Sequence, residues 1–158
     1  MLSKLMMSCL LVMLFAGRAL AADMSAQTGF EVFPTSKAYG DLVSDTRAAV
    51  KSNGLIVVTQ AGPTKAAASR GIKIPGNLVI GAFNNDFAVK VLATSTAAMI
   101  EAPIRLYVTE NEDGTATLSY KRPGFVFAPY LEDGGDTLTL LATELDAIFA
   151  SIAAEATQ

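Results

Sequence analysis

The chain of 158 residues carries 12 basic against 15 acidic residues, with no histidine and a single cysteine. This excludes an imidazole metal ligand, an axial histidine for haem and a Ser-His-Asp triad, and leaves no cysteine pair for a disulfide or a thiolate zinc or iron–sulfur site. The acidic balance, without a long run of like charge, also argues against nucleic acid or an anionic membrane as partner.

The chain opens on Lys4, an apolar run from Leu5 to Ala16 interrupted by Ser8, and Ala19-Leu20-Ala21. A charged start, an apolar centre and an A-x-A site together predict a cleavable signal peptide over residues 1–21, cut after Ala21. The run falls short of the roughly twenty residues that cross a bilayer, so no stable span is expected after cleavage. A lipoprotein reading of Cys9 fails because the apolar run continues beyond it, and cleavage then removes the only cysteine. The remainder loses Lys4 and Arg18 but no acidic residue. Ten basic residues then face 15 acidic ones, a net charge of −5. Such a chain is expected in the periplasm or the medium, as a flexible leader over 22–27 followed by one domain over 28–158.

Gly29 to Thr35 alternates loosely and reads as a strand ending at Pro34. Ser36 is placed to cap a helix with apolar positions at Tyr39, Leu42, Val43, Ala49 and Val50, closed by Asn53-Gly54. The β-branched run Leu55 to Thr59 reads as a buried strand. A short helix follows over Thr64 to Arg70, then a turn at Pro75-Gly76 and an apolar strand over Asn77 to Phe83. Asp86 is placed to cap a second short helix. Ser95 to Ile100 has no clear period. Pro103 to Glu110 and Thr115 to Lys121 alternate strictly about the turn Glu112-Asp113-Gly114, a hairpin. Residues 122–136, rich in glycine, proline and aromatics, read as a long loop. Leu138, Leu141, Ala142, Leu145, Ile148, Phe149 and Ile152 form one stripe of a final helix. The fold class is α+β, a mainly antiparallel sheet with helices on one face.

In this order the chain resembles the family called domain of unknown function 302. The resemblance runs from Thr35-Ser36 through Ala66–Gly71, Ile74-Pro75 and Gly81-Ala82-Phe83-Asn84 to Ala102-Pro103-Ile104-Arg105, Asp113-Gly114, Ser119-Tyr120 and Pro123. It covers roughly residues 30–152. It implies a β-α-β4-α fold like half of the TATA-binding protein, and no established activity. Many members carry an Asp-His pair after the second strand, where this chain has Ala61-Gly62 or Gly62-Pro63. Some carry a cysteine where it has Ile104, and the proline of the family's Gly-Asn-Pro is Asn85 here. Any metal or cofactor role of those positions elsewhere would not transfer, and no cofactor is expected.

Three constellations remain. Asn84-Asn85-Asp86 lies where a strand meets a helix and fits either a polar ligand site or a turn with its cap. Glu101, Arg105 and Tyr107 share a stretch in which Arg105 and Tyr107 face one way, with Ser119 and Lys121 across the hairpin. They fit either a carboxylate clamp or the solvated face of a sheet. Phe125, Phe127, Pro129 and Tyr130 crowd the 122–136 segment and fit either an apolar pocket or a loop folded over the core. The leading expectation is a non-catalytic domain holding a small apolar ligand between the sheet and the last helix, under residues 122–136. The alternatives are a protein partner or a second copy on the Arg105–Tyr107 face, making a homodimer, or a hydrolase or isomerase using carboxylates such as Glu101.

Overall fold

The computed structural model describes residues 24–158, and the expected signal peptide lies outside them. The strands are β1 (Phe30–Ala38), β2 (Ile56–Ala61), β3 (Asn77–Phe83), β4 (Ile104–Glu110) and β5 (Thr115–Lys121). The helices are α1 (Tyr39–Ser52), α2 (Thr64–Ala68), α3 (Asn85–Thr94), α4 (Pro123–Phe127) and α5 (Leu131–Thr157), with 3₁₀ turns at Ala98–Glu101 and Ala128–Tyr130. All five strands form one sheet in the order β1-β5-β4-β3-β2, every pairing antiparallel. With the short helices set aside, the order is β-α-β4-α, as the family resemblance implies.

Alternation fixes which face of the sheet is dry. Leu106, Val108 and Leu118 are fully buried, while Arg105, between two buried neighbours, is exposed. A one-residue slip in register would reverse this, so the pattern pins the pairing. The β4–β5 turn closes as expected: Gly114 has φ 84°, and Asp113 Oδ1 accepts from the Thr115 backbone at 2.9 Å and from its hydroxyl at 2.6 Å. The same two bonds, the hydroxyl's first, hold the Asp113 carboxyl below its usual range.

Helices α1 and α5 pack on each other and cover the dry face with Leu42, Val50, Leu138, Phe149 and Ile152, all fully buried. Each such side chain contributes roughly 1.5–3 kcal/mol of transfer free energy. The predicted stripe of the last helix is thus its core face. The stretch Pro123–Thr157 is long and apolar enough to cross a membrane by composition, and here its apolar side is spent on the sheet and α1.

Four local expectations are corrected. Residues 122–136 are not a loop but α4, a 3₁₀ turn and the start of α5. Pro123 at the first helical position has its φ pre-set for the turn, and Phe127, 2% exposed, anchors α4 in the core. The glycines interrupt the helix only at Gly135, whose φ of 58° and ψ of −155° lie outside helical space. Strand β1 does not stop at Pro34 but runs on to Ala38, because β1 is an edge strand, where proline is tolerated, and its register shifts between Pro34 and Ala38. Ser36 therefore lies within the strand, and α1 starts at Tyr39 with no side-chain cap. Finally, β2 is not buried: as the other edge it leaves Ile56 58% and Val58 44% exposed.

Candidate functional site

The face of the sheet turned away from α1 and α5 carries the polar residues of β4 and β5. Gly81 pairs with Arg105 and Val79 with Tyr107 across β3–β4. Tyr107 pairs with Ser119 across β4–β5, and Phe30 with Lys121 across β1–β5. Side chains two apart share a face, so Phe30, Val79, Arg105, Tyr107 and Lys121 gather there. They line a cleft of about 200 Å³, to which Ile104 and Tyr120 of the buried face also contribute, and Glu101 and Val126 reach its walls.

Each wall has a local cause. The turn Ala98–Glu101 carries Glu101, and the phenol of Tyr130 donates to Glu101 Oε1 at 2.7 Å. That bond, then burial and the carboxylate's charge, raises the Tyr130 phenol above its usual range, because ionising it would set a phenolate beside a carboxylate. The Lys121 ammonium stands 5.5 Å from the centre of the Phe30 ring, a cation–π arrangement. The Tyr107 hydroxyl accepts a hydrogen bond from Asn77 Nδ2. A β-carbon on Gly81 would lie 2.2 Å from Thr59 Oγ1 and 2.8 Å from Pro103 Cγ, so only glycine lets the cis-bonded Pro103 pack on β3.

The electrostatics are uneven. Among the described residues the ion pairs are Lys37–Asp45 at 2.6 Å and Arg122–Glu31 at 3.5 Å, so Arg105 and Lys121 pair with no carboxylate. The hydroxyls of Ser119 and Thr109 are buried without a hydrogen-bond partner, and their register places both on this same face. Three other carboxylates serve the fold. Glu110 accepts from the Gly76 backbone at 2.6 Å and Asp146 from that of Gly124 at 2.9 Å. Glu155 accepts from the Ser52 hydroxyl at 2.7 Å. Among the described residues no three metal-ligating side chains come together.

The sequence-predicted site residues divide. Glu101, Arg105 and Tyr107 meet in the cleft, and Tyr130 joins them through Glu101. Asn84 does not face the cleft; it caps α3, accepting from the backbones of Asp86 at 2.8 Å and Phe87 at 3.2 Å and donating to Gly54 O at 2.9 Å. Asn84 rather than Asp86 is therefore the cap. Phe127 lies in the core beside a cavity of only about 30 Å³, which Asn84, Phe87 and Phe149 also line. That is room for a water molecule and not for a small organic ligand. Phe125 lines neither space. Its ring rests on Gly29, where a β-carbon would lie 2.2 Å from Phe125 Cγ. Phe30 and Val79 were not foreseen, because their place in the cleft depends on strand order rather than on any motif. Where the resemblance implies an Asp-His pair or a cysteine in other members, this chain has Ala61-Gly62 or Gly62-Pro63, and Ile104. Gly62 lies so close to the Asn77 carbonyl that a β-carbon would be 2.1 Å from its oxygen, and Ile104 is 7% exposed.

A crystal structure of an uncharacterised conserved protein DUF302 from Bacillus stearothermophilus superposes with a TM-score of 0.71 over 84% of this chain and 100% of that one, at 16% identity, a likeness of fold. Among curated proteins none matches the chain. The sequence pattern of the domain of unknown function DUF302 matches residues 31–155, nearly the whole of the described domain, and the chain belongs to the DUF302 family.

Proposed function

We propose that this protein is a non-catalytic binding domain for a small organic carboxylate with an apolar body, held in the cleft on the open face of the sheet. The observation that carries this reading is the position of Arg105 and Lys121. Two cations from neighbouring strands line one cleft without an ion-pair partner, with Phe30 of β1 on one side and Val79 of β3 on the other. A guanidinium presents a planar fork that matches a carboxylate in two parallel hydrogen bonds. The volume of about 200 Å³ lies below the roughly 300–1,000 Å³ typical of drug-sized ligands, which favours a small molecule. The ligand is thus amphipathic rather than purely apolar, and it sits on the sheet rather than under α4.

Titration calorimetry with 3-phenylpropionate and hexanoate, each set against its uncharged amide, tests the reading. The carboxylates bind and the amides do not. Arg105→Ala weakens binding by about 10- to 100-fold, the worth of a hydrogen bond to a charged group. Equal binding of acid and amide, or an unaffected Arg105→Ala variant, refutes it. Export to the periplasm or medium belongs to the same proposal, supported by the pattern of residues 1–21. N-terminal sequencing of the exported protein is expected to start at Ala22, and a start at Met1 contradicts it.

A further inference from the structure

The cleft that holds Arg105 and Lys121 also holds a carboxylate. Glu101 lines it from the turn Ala98–Glu101, and neither cation lies within ion-pairing distance of it. Three charges therefore share one small space without neutralising one another. Glu101 is also held in place from behind: Tyr130 occupies Oε1 at 2.7 Å, which leaves Oε2 free to accept. A simple anion would meet Arg105 and Lys121 but would bring its charge close to that of Glu101. A simple cation would meet one attractive group and two repulsive ones. The arrangement is satisfied by a molecule that carries both charges at separate points.

We infer that the ligand is zwitterionic, a free amino acid with an apolar side chain. Its carboxylate meets the Arg105 fork and Lys121, its ammonium donates to Glu101, and its side chain lies on Phe30 and Val126. An ammonium has three donors and no acceptor, so a carboxylate already oriented by a phenol is a suitable partner. Tyr130 acts as a positioning residue, fixing the rotamer of Glu101. This inference rests on the carboxylate reading of the same cleft and adds the second charge to it.

The test compares three probes that share one body: L-phenylalanine, 3-phenylpropionate, which lacks the amine, and 2-phenylethylamine, which lacks the carboxylate. L-phenylalanine is expected to bind about tenfold tighter than either, the gain of one charge-assisted contact. Glu101→Gln still accepts from Tyr130 and so keeps the wall in place. It is expected to remove that advantage while 3-phenylpropionate binds as well as before or better. If 3-phenylpropionate binds as tightly as L-phenylalanine to the unaltered protein, the zwitterion is wrong and the carboxylate site stands. If neither binds, both readings fall. The comparison on the unaltered protein decides the matter even if the Glu101 variant does not fold.

Discussion

Tyr130 donates its phenolic proton to Glu101 Oε1 at 2.7 Å, 29 residues back along the chain. The bond ties the 3₁₀ turn ahead of α5 to the turn ahead of β4, which carries Glu101 into the wall of the cleft. Removing the hydroxyl in Tyr130→Phe frees Glu101 to rotate without removing its charge. The expected result is a loss of a few-fold in L-phenylalanine affinity, roughly the worth of one lost orienting hydrogen bond. Affinity for 3-phenylpropionate should not fall. The same titrations measure it, and an equal loss for both probes indicates general loosening of the site instead.

Phe127 and Phe125, two residues apart, are expected to behave differently. Phe127 is 2% exposed, and Phe127→Ala should cost about 3–5 kcal/mol of stability. Phe125 is 40% exposed, and Phe125→Ala should cost roughly 1 kcal/mol and leave carboxylate binding unchanged. Urea denaturation followed by circular dichroism measures both. A loss of binding in Phe125→Ala would restore a site beneath α4.

Gly29 and Phe125 form a single contact that can be dissected. Gly29 has φ +78°, and an added β-carbon would lie 2.2 Å from the Phe125 ring. Gly29→Ala should therefore destabilise the domain by about 1–3 kcal/mol, part backbone strain and part overlap. In a Phe125→Ala background the overlap is gone and only the strain remains, so the cost should fall. A double-mutant cycle with no coupling would mean that the ring moves aside freely.

Tyr120 sets an alkaline limit. Its ring packs against Phe33 at 6.0 Å and Phe149 at 5.4 Å between centroids. Burial, then the charges of Glu31 and Asp146, pushes its phenol up from 10.0 to about 12. Between these values the unfolded chain releases a proton that the folded chain keeps, so stability falls as pH rises. The contribution of Tyr120 is fully present below pH 10 and is lost through about pH 12. Urea midpoints across that window should fall less steeply in Tyr120→Phe. Parallel curves for the two proteins contradict this assignment.

Much of the fold was legible because period and position agree. Ile104, Leu106 and Val108 alternate with Arg105 and Tyr107 over a strand whose two faces are dry and wet, so pattern alone assigned them. The stripe from Leu138 to Ile152 did the same for α5. The 122–136 segment misled because Gly124, Gly134, Gly135 and two prolines suppress helical propensity, while Phe127 docking in the core overrides it. Leu55 to Thr59 misled because β-branched residues suit an edge as well as a centre, and only the sheet order distinguishes the two. The site was half legible. Glu101, Arg105 and Tyr107 are close in sequence, so local spacing found them. Phe30 reaches the cleft only through the pairing of β1 with β5, which no local signal announces.

Amide chemical-shift mapping separates the cleft from the small cavity beside Phe127. The protein labelled with ¹⁵N is titrated with 3-phenylpropionate. Shifts centred on Phe30, Val79, Arg105, Tyr107 and Lys121 are the expected result. Shifts centred on Phe87, Met99 and Phe127 instead, or saturable shifts nowhere, contradict a binding site on the open face of the sheet.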